Sequence, residues 1–399
     1  MKMMSGSNRR NGHKRKIPFN MERAVLQRYA DGAVSKEQAL CCPVQYDAKY
    51  LKVIPQEILD KDYGCGDPSR YLREGDVVLD LGSGGGKICF IASQVVGPRG
   101  KVIGVDFNPT MLALARCYQK QVGDKIGWHN VEFRRGKIQD LKTDLDRLER
   151  DLTSRPVSSL EGYFDFQNTV EKSRLQNPLV ADESVDVIVS NCVLNLVRPE
   201  SKKELFKEMH RVLKKGGRVA ISDIVSDEAV PESLQRDPEL WSGCVSGAFQ
   251  ESEFIKAFEE SGFYGIKLEK FDQQPWRTVA GIEFRAVTVT AFKGKEGPCF
   301  EHHQAVVYKG PWKQVEDDDR HVLRRGVRTA VCDKTFQIFS KTPYRDDLIL
   351  LEPRKGIPPG KAKPFDCSRT SERHPKETKG VKYRATTRAG ASCLDGGCC

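Results

Sequence analysis

The chain has 399 residues, 39% hydrophobic and 30% charged, the balance of a soluble globular protein built as one large domain with appendages or as two domains. Its net charge of +10 sits in the tails: residues 1–20 carry six Lys/Arg and no acid, residues 361–399 carry nine against four acids, and residues 21–360 come to about −1. Basic tails of this kind are solvated segments, and no base-reading motif accompanies them, so no specific nucleic-acid partner is expected. No run of eighteen apolar residues exists and the first twenty residues lack an apolar signal core, so no membrane partner and a cytoplasmic location are expected, with an organelle transit peptide as the lesser alternative.

In chain order, residues 1–20 read as a disordered basic tail and residues 21–75 as an N-terminal cap. The cap has a helical stretch from Met21 to Tyr29, then Cys41-Cys42-Pro43, a mixed stretch from Tyr50 to Leu59, and a Gly/Pro-rich loop around Cys65. An α/β core follows over residues 76–295. Val77-Val78-Leu79-Asp80-Leu81 is an apolar run ending in an acid, and it breaks into Gly82-Ser83-Gly84-Gly85-Gly86 before the apolar helix face of Ile88 to Val96. That is a buried parallel strand, a tight turn and a helix, where glycine admits positive φ and a ligand can approach the backbone. Lys101 to Asp106 is a second strand ending in an acid, placed to accept hydrogen bonds from ribose hydroxyls. A Gly-rich turn alone is a weak signal. Together the two acids and the turn point to a nucleoside-bearing cofactor.

Further strands are expected at Val131–Arg134, Ser184–Asn191, Arg218–Asp223 and Ile282–Phe292. Helices are expected from Pro109, over Lys202–Lys214 with Gly216-Gly217 as its C-cap, and over Glu251–Ser261. A polar insertion covers about 141–178. Strands alternating with helices give a doubly wound sheet of Rossmann-like order. Residues 296–355 read as a small, mostly β module and residues 356–399 as a basic tail ending in Cys393, Cys398 and Cys399.

Thirteen cysteines are many for a chain able to form its own core. A secreted disulfide scaffold is not expected, and no CxxC pair supports a zinc module. Cys192 directly follows a strand end, Cys244 lies beyond another, and Cys65 precedes the core, so all three fall toward the ligand edge of the sheet; Cys42 (or Cys41) lies in the segment able to cover it. For any single one, burial as a small hydrophobe is the simpler account. Several thiols converging on one cofactor site suit a soft, thiophilic ligand.

Tyr63-Gly64-Cys65-Gly66, Asp80-Leu81-Gly82-Ser83-Gly84, Ser190-Asn191-Cys192-Val193-Leu194-Asn195-Leu196 and Gly243-Cys244-Val245-Ser246-Gly247 resemble the arsenite methyltransferase family over residues 41–292, with some likeness to its bacterial members linked to arsenosugar formation. The resemblance implies a class I methyltransferase core using S-adenosylmethionine. It also implies a trivalent arsenic site on Cys65, Cys192 and Cys244, and a further cysteine, assigned to Cys42, in disulfide exchange with Cys65. On this reading Asp80, Gly82, Ser83, Gly84, Gly86, Asp106, Met111, Ile138, Gln139 and Asn191 contact the cofactor. The substrate is arsenite or its thiol conjugate, and thioredoxin or glutathione is the external reductant. The N-terminal spacing is shorter than in the animal enzymes, which leaves Cys41 and Cys42 as alternatives, and the 141–178 insertion is not typical of the family. Two other readings stand beside this one: a methyltransferase with an ordinary carbon, oxygen or nitrogen acceptor, and a thiol protein that only sequesters metalloids.

Overall fold

The computed structural model describes residues 20–35, 37, 44–61 and 63–386. Cys41, Cys42, Cys393, Cys398 and Cys399 therefore lie outside the described residues. The chain divides into two compact units, residues 1–213, 219–255 and 268–289, and residues 214–218, 256–267 and 290–399.

The first unit opens with α1 (Met21–Val34), capped by Asn20, whose side-chain oxygen accepts from the Arg23 N–H at 3.1 Å. Then come β1 (Val77–Leu81), α2 (Lys87–Val96), β2 (Lys101–Asp106), α3 (Pro109–Ile126) and β3 (Val131–Arg135). After the insertion, β4 (Val185–Asn191), α6 (Pro199–Val212), β5 (Leu213–Ser226), α7 (Pro238–Ser242), α8 (Glu251–Glu260), β6 (Tyr264–Phe271) and β7 (Ile282–Phe292) follow; the insertion itself supplies α4 (Leu145–Ser154) and α5 (Leu160–Gln176). No residue of α4 or α5 is fully buried, as the polar sequence there implies.

The main sheet has the order β3-β2-β1-β4-β5-β7-β6, with the short strands Phe249–Gln250 on β5 and Arg277–Val279 on β7. β1 runs parallel to both β2 and β4. Val78, Leu79 and Leu81 are fully shielded from solvent, because helices cover both faces of a parallel sheet. The order reverses direction at β1, so the carboxyl ends of β1 and β4 open the crevice in which ligands collect in such sheets.

Two sequence expectations need correction here. The helix expected over Lys202–Lys214 is α6, ending at Val212, and Leu213 already has extended backbone. Gly216-Gly217 is thus no cap: it lies within β5, where Gly216 takes φ +79°. The second correction concerns the 355/356 boundary. In the second unit β8 (Ala305–Tyr308) pairs antiparallel with β9 (Arg328–Ala330) and β10 (Leu348–Leu351), and α9 (Asp333–Phe339) adds Phe336 and Phe339 to a core with Val306, Val331 and Leu348. The described part of the expected tail, residues 356–386, packs within this module. Lys363–Pro364 pairs with Phe300–Glu301, and Arg373, only 5% exposed, ion-pairs with Glu301 at 2.7 Å and Glu377 at 2.6 Å. A Lys/Arg-rich composition hid a segment whose arginine is buried against two acids.

Candidate functional site

The turn after β1 builds the floor of the site. Gly82, Gly84 and Gly86 take φ of +74°, +50° and +89°, a region L side chains rarely adopt. A Cβ on Gly82 would lie 2.4 Å from the Val193 side chain, whereas one on Gly84 would meet nothing within 4 Å. The turn therefore packs tightly on its Val193 side and stays open at Gly84. Asp106 ends β2 with its carboxylate accepting from the Gly84 N–H at 2.9 Å and the Asn108 N–H at 2.8 Å. Burial pushes this carboxyl above its ordinary range, against the pull of the Asn108, Gly84 and Phe107 N–H groups.

A cavity of about 1070 Å³, mouth included, stands over this floor. Asp80, Gly82, Ser83, Gly84, Asp106, Met111, Ile138, Gln139, Asn191 and Cys192 all line it. Gly86 does not. It starts α2, and a Cβ there would come 2.7 Å from the Phe133 ring, so packing accounts for this glycine.

Asn191 reaches the cavity wall and also anchors the loop beside it. Its Oδ1 accepts from the N–H groups of Cys65 at 2.9 Å and Gly66 at 3.1 Å, while its Nδ2 donates to the Gly66 carbonyl at 2.8 Å and the Tyr46 hydroxyl at 3.1 Å. Three of these bonds tie the Cys65 loop to the end of β4, and the fourth holds Tyr46, whose hydroxyl itself donates to the Gly66 carbonyl at 3.1 Å.

The three expected thiol positions come together. Cys65, Cys192 and Cys244 share one buried cluster with Ile224, Val245, Ile282 and Phe284. Cys65 and Cys192 form a disulfide with their Cα atoms 5.9 Å apart. The pairing expected for Cys65 was with Cys42; among the described residues Cys65 is instead bonded to Cys192. The Cys244 thiol donates to the Cys192 carbonyl at 3.0 Å. Cys192 and Cys244 hold φ of +60° and +59°, uncommon for non-glycine residues and maintained here by their surroundings. Asn195, fully buried, supplies part of that: its Nδ2 donates to Asp223 at 2.9 Å, to the Ile224 carbonyl at 2.6 Å and to the Cys244 carbonyl at 3.4 Å. Asp223 also accepts from the Leu194 N–H at 2.9 Å, and burial raises its carboxyl to about 6.

Tyr29 was missed at the sequence level. Its hydroxyl lies 3.7 Å from the Cys244 sulfur, and burial first, then the Cys244 charge, raises the phenol well above its usual value. It therefore stays protonated beside that sulfur. Glu22 and Lys137, paired at 2.9 Å, are further wall residues contributed by α1 and the segment after β3. Nothing in the spacing of α1 signals that one helical face looks onto a cavity. Cys89 is a different kind of thiol: it donates to Asp80 at 3.2 Å, and burial raises it well above the ordinary value, so it remains an inert filler.

A fit to a nucleoside-sulfonium cofactor can be judged from Ser83. Its Oγ is buried on the cavity wall and has no hydrogen-bond partner among the described residues, an orphaned polar atom of the kind a bound polar ligand satisfies. With the open Gly84 and the Asp106 carboxylate beside it, the residues present fit the group.

Comparison with known proteins agrees with this geometry. A family model described as a methyltransferase domain matches residues 72–158 and 162–262, and residues 295–383 match a domain of unknown function, DUF8838. An arsenite methyltransferase of Aquipseudomonas alcaligenes is 30% identical over 80% of this chain and 86% of its own length. An arsenite methyltransferase of Halobacterium salinarum is 38% identical over 54% of this chain and 44% of its own. Among solved structures, an arsenic (III) S-adenosylmethionine methyltransferase from Chlamydomonas reinhardtii aligns with a TM-score of 0.52 at 25% identity, covering 82% of this chain and all of that one.

Proposed function

The chain belongs to the arsenite methyltransferase family, and we propose that it transfers a methyl group from S-adenosylmethionine to trivalent arsenic bound by the reduced thiols of Cys65, Cys192 and Cys244. The observation that carries this reading is the meeting of three cysteines from distant segments in one buried cluster, with Cys192 on the wall of the cavity floored by the Gly82–Gly86 turn.

Ser83, Gly84, Asp106, Met111, Ile138 and Gln139 would hold S-adenosylmethionine, which supplies a methyl group already activated on a sulfonium. Trivalent arsenic on thiolates keeps a lone pair and needs no general base to attack carbon. The chain's contribution is placement in a site shielded from water. Tyr29 and the Asn195–Asp223 pair fix Cys244, and Asn191 fixes Cys65, so that the thiols keep one geometry.

Methyl transfer takes arsenic to the pentavalent state. Two of its thiolate ligands, Cys65 and Cys192, then couple as a disulfide; their sulfur–arsenic bonds break, and the two electrons left on arsenic return it to the trivalent state. The bond between these two cysteines in the structure supports this pair. Turnover requires two electrons and two protons from an external thiol such as thioredoxin or glutathione, by exchange in which Cys42 (or Cys41) acts as the relay. A chain with this many free thiols suits the reducing cytoplasm, and no helix among the described residues is long and apolar enough to cross a membrane.

The test is arsenic speciation after incubation of the reduced protein with arsenite and S-adenosylmethionine. Methylated arsenic that vanishes in Cys192→Ser, with donor binding intact, is expected. Donor binding without methylarsenic in the parent protein would transfer the activity to an ordinary acceptor. Arsenite binding without donor consumption would leave a metalloid-sequestering protein.

A further inference from the structure

The second unit contains its own convergence of thiols. Cys299, Cys332 and Cys367 place their Sγ atoms within 4.8 Å of one another, although they are separated by 33 and 35 residues in sequence. Each comes from a different structural feature. Cys299 precedes the strand Phe300–Glu301, and its carbonyl accepts from the Phe365 N–H at 2.9 Å, beyond the paired strand Lys363–Pro364 that leads to Cys367. Cys332 is buried at the start of α9, where its sulfur accepts from the Thr335 N–H at 3.4 Å and lies 3.2 Å from the Thr335 hydroxyl. Cys299 and Cys367 are only half-buried, so the cluster is reachable from solvent.

The thiols are not equivalent. Burial raises Cys299, but hydrogen bonding from Cys367 and Cys332 and the neighbouring Lys334 ammonium outweigh it and leave this thiol below its ordinary value. Lys334 is held nearby by donation to the Gly297 carbonyl at 3.2 Å. Burial and the hydrogen bond with Cys299 push Cys367 the other way. The three sulfurs lie close enough to one another to complete a chelate.

We propose that Cys299, Cys332 and Cys367 form a second binding site for trivalent arsenic, in the C-terminal unit and separate from Cys65, Cys192 and Cys244. The described ligand set suits a three-coordinate, thiophilic occupant. Structural zinc takes four ligands, and no fourth His, Cys, Asp or Glu joins this group among the described residues. Trivalent arsenic forms three bonds in a pyramid whose apex is a lone pair, and it needs no fourth ligand. Three soft sulfurs and no hard oxygen donor match it. The binding step balances without any oxidant: arsenous acid gives up three As–O bonds, three As–S bonds form, and the three thiol protons leave with the hydroxides as water. The choice of arsenic rests on the proposed function; the three-thiol chelate rests on the cluster alone.

The experiment uses the full chain carrying Cys65→Ser, Cys192→Ser and Cys244→Ser, reduced, desalted and exposed to arsenite, so its result does not depend on whether methyl transfer occurs. Arsenic retained after gel filtration and thiols protected from alkylation are counted in this parent and in the same chain with Cys299→Ser and Cys367→Ser added. Buried Cys332 is left in place, and thermal unfolding checks that both chains are folded. The added pair is expected to remove one arsenic per chain, with Cys299 and Cys367 of the parent protected from alkylation by arsenite. Equal arsenic in both chains would overturn the proposal, as would prior loading with one equivalent of zinc that blocks arsenite at these thiols. If the doubly substituted chain fails to fold, mass-spectrometric mapping of the parent decides instead: protection of Cys299, Cys332 and Cys367 by arsenite supports the site, and their free alkylation in its presence refutes it.

Discussion

Asn191 separates two accounts of this site. As a cofactor contact, its truncation would weaken S-adenosylmethionine; as the anchor of the Cys65 loop, it would weaken arsenic. The structure favours the anchor, since all four of its side-chain hydrogen bonds go to Cys65, Gly66 and Tyr46. Asn191→Ala removes those four bonds, each worth about 1 kcal/mol net, and strands buried backbone groups of the Cys65 loop, for a local loss of roughly 3–4 kcal/mol. At tenfold per 1.4 kcal/mol, arsenite affinity of the reduced protein should fall by about 100- to 1000-fold. Fluorescence titration with arsenite reads this directly, and calorimetric titration with S-adenosylmethionine should show a change below about threefold. Asn191→Asp keeps the acceptor for the Cys65 and Gly66 N–H groups but loses both donors, so it should fall between wild type and alanine. The reasoning fails if Asn191→Ala leaves arsenite binding unchanged and weakens the methyl donor.

Gly86→Ala and Gly127→Ala make a matched pair, with φ of +89° and +90°, but only the former meets a neighbour, the Phe133 ring. Both should lose about 1 kcal/mol to backbone strain, and Gly86→Ala a further 1–3 kcal/mol to overpacking, as read by urea unfolding; equal losses would remove the packing account. Asp223, with its carboxyl raised to about 6, binds a proton in the folded state at pH values where the unfolded chain does not. Its contribution to stability should therefore decline as pH rises from about 4 to about 6, by roughly 3 kcal/mol at most. The stability of wild type relative to Asp223→Asn should fall across that window, and a flat difference would refute it. Arg373→Met leaves Glu301 and Glu377 without their buried cation. Both acids keep solvent contact, so the cost is that of the lost charged hydrogen bonds, about 1.5–3 kcal/mol, which differential scanning calorimetry should register as lowered stability; no change would return residues 356–386 to the status of a tail.

The parts of the site that the sequence reveals are those fixed by local geometry. A strand with Asp80 next to its end, followed by four glycines in five positions, can hardly fold otherwise than as a βα turn, and the position of Cys192 one residue past β4 puts it at the crevice by topology alone. What stayed hidden depends on segments that meet only in three dimensions. Asn191 occupies the same strand end, so its sequence position suggested the cofactor; that it turns toward the Cys65 loop follows from where a segment 126 residues away returns. The disulfide partner of Cys65 had the same difficulty, because cysteine spacing restricts connectivity without selecting it.

The C-terminal thiols carry this point furthest. Cys299, Cys332 and Cys367 show no ligand spacing, and Cys367 lies in a stretch whose charge reads as solvated tail. Two interactions convert that stretch into structure: the pairing of Lys363–Pro364 with Phe300–Glu301, and the burial of Arg373 between Glu301 and Glu377. The same strand pair brings Cys299 and Cys367 together. An ion pair that composition analysis counts as surface charge therefore helps hold the chain in the register that assembles the cluster, so loss of Arg373 should loosen the thiol site along with the fold of its unit.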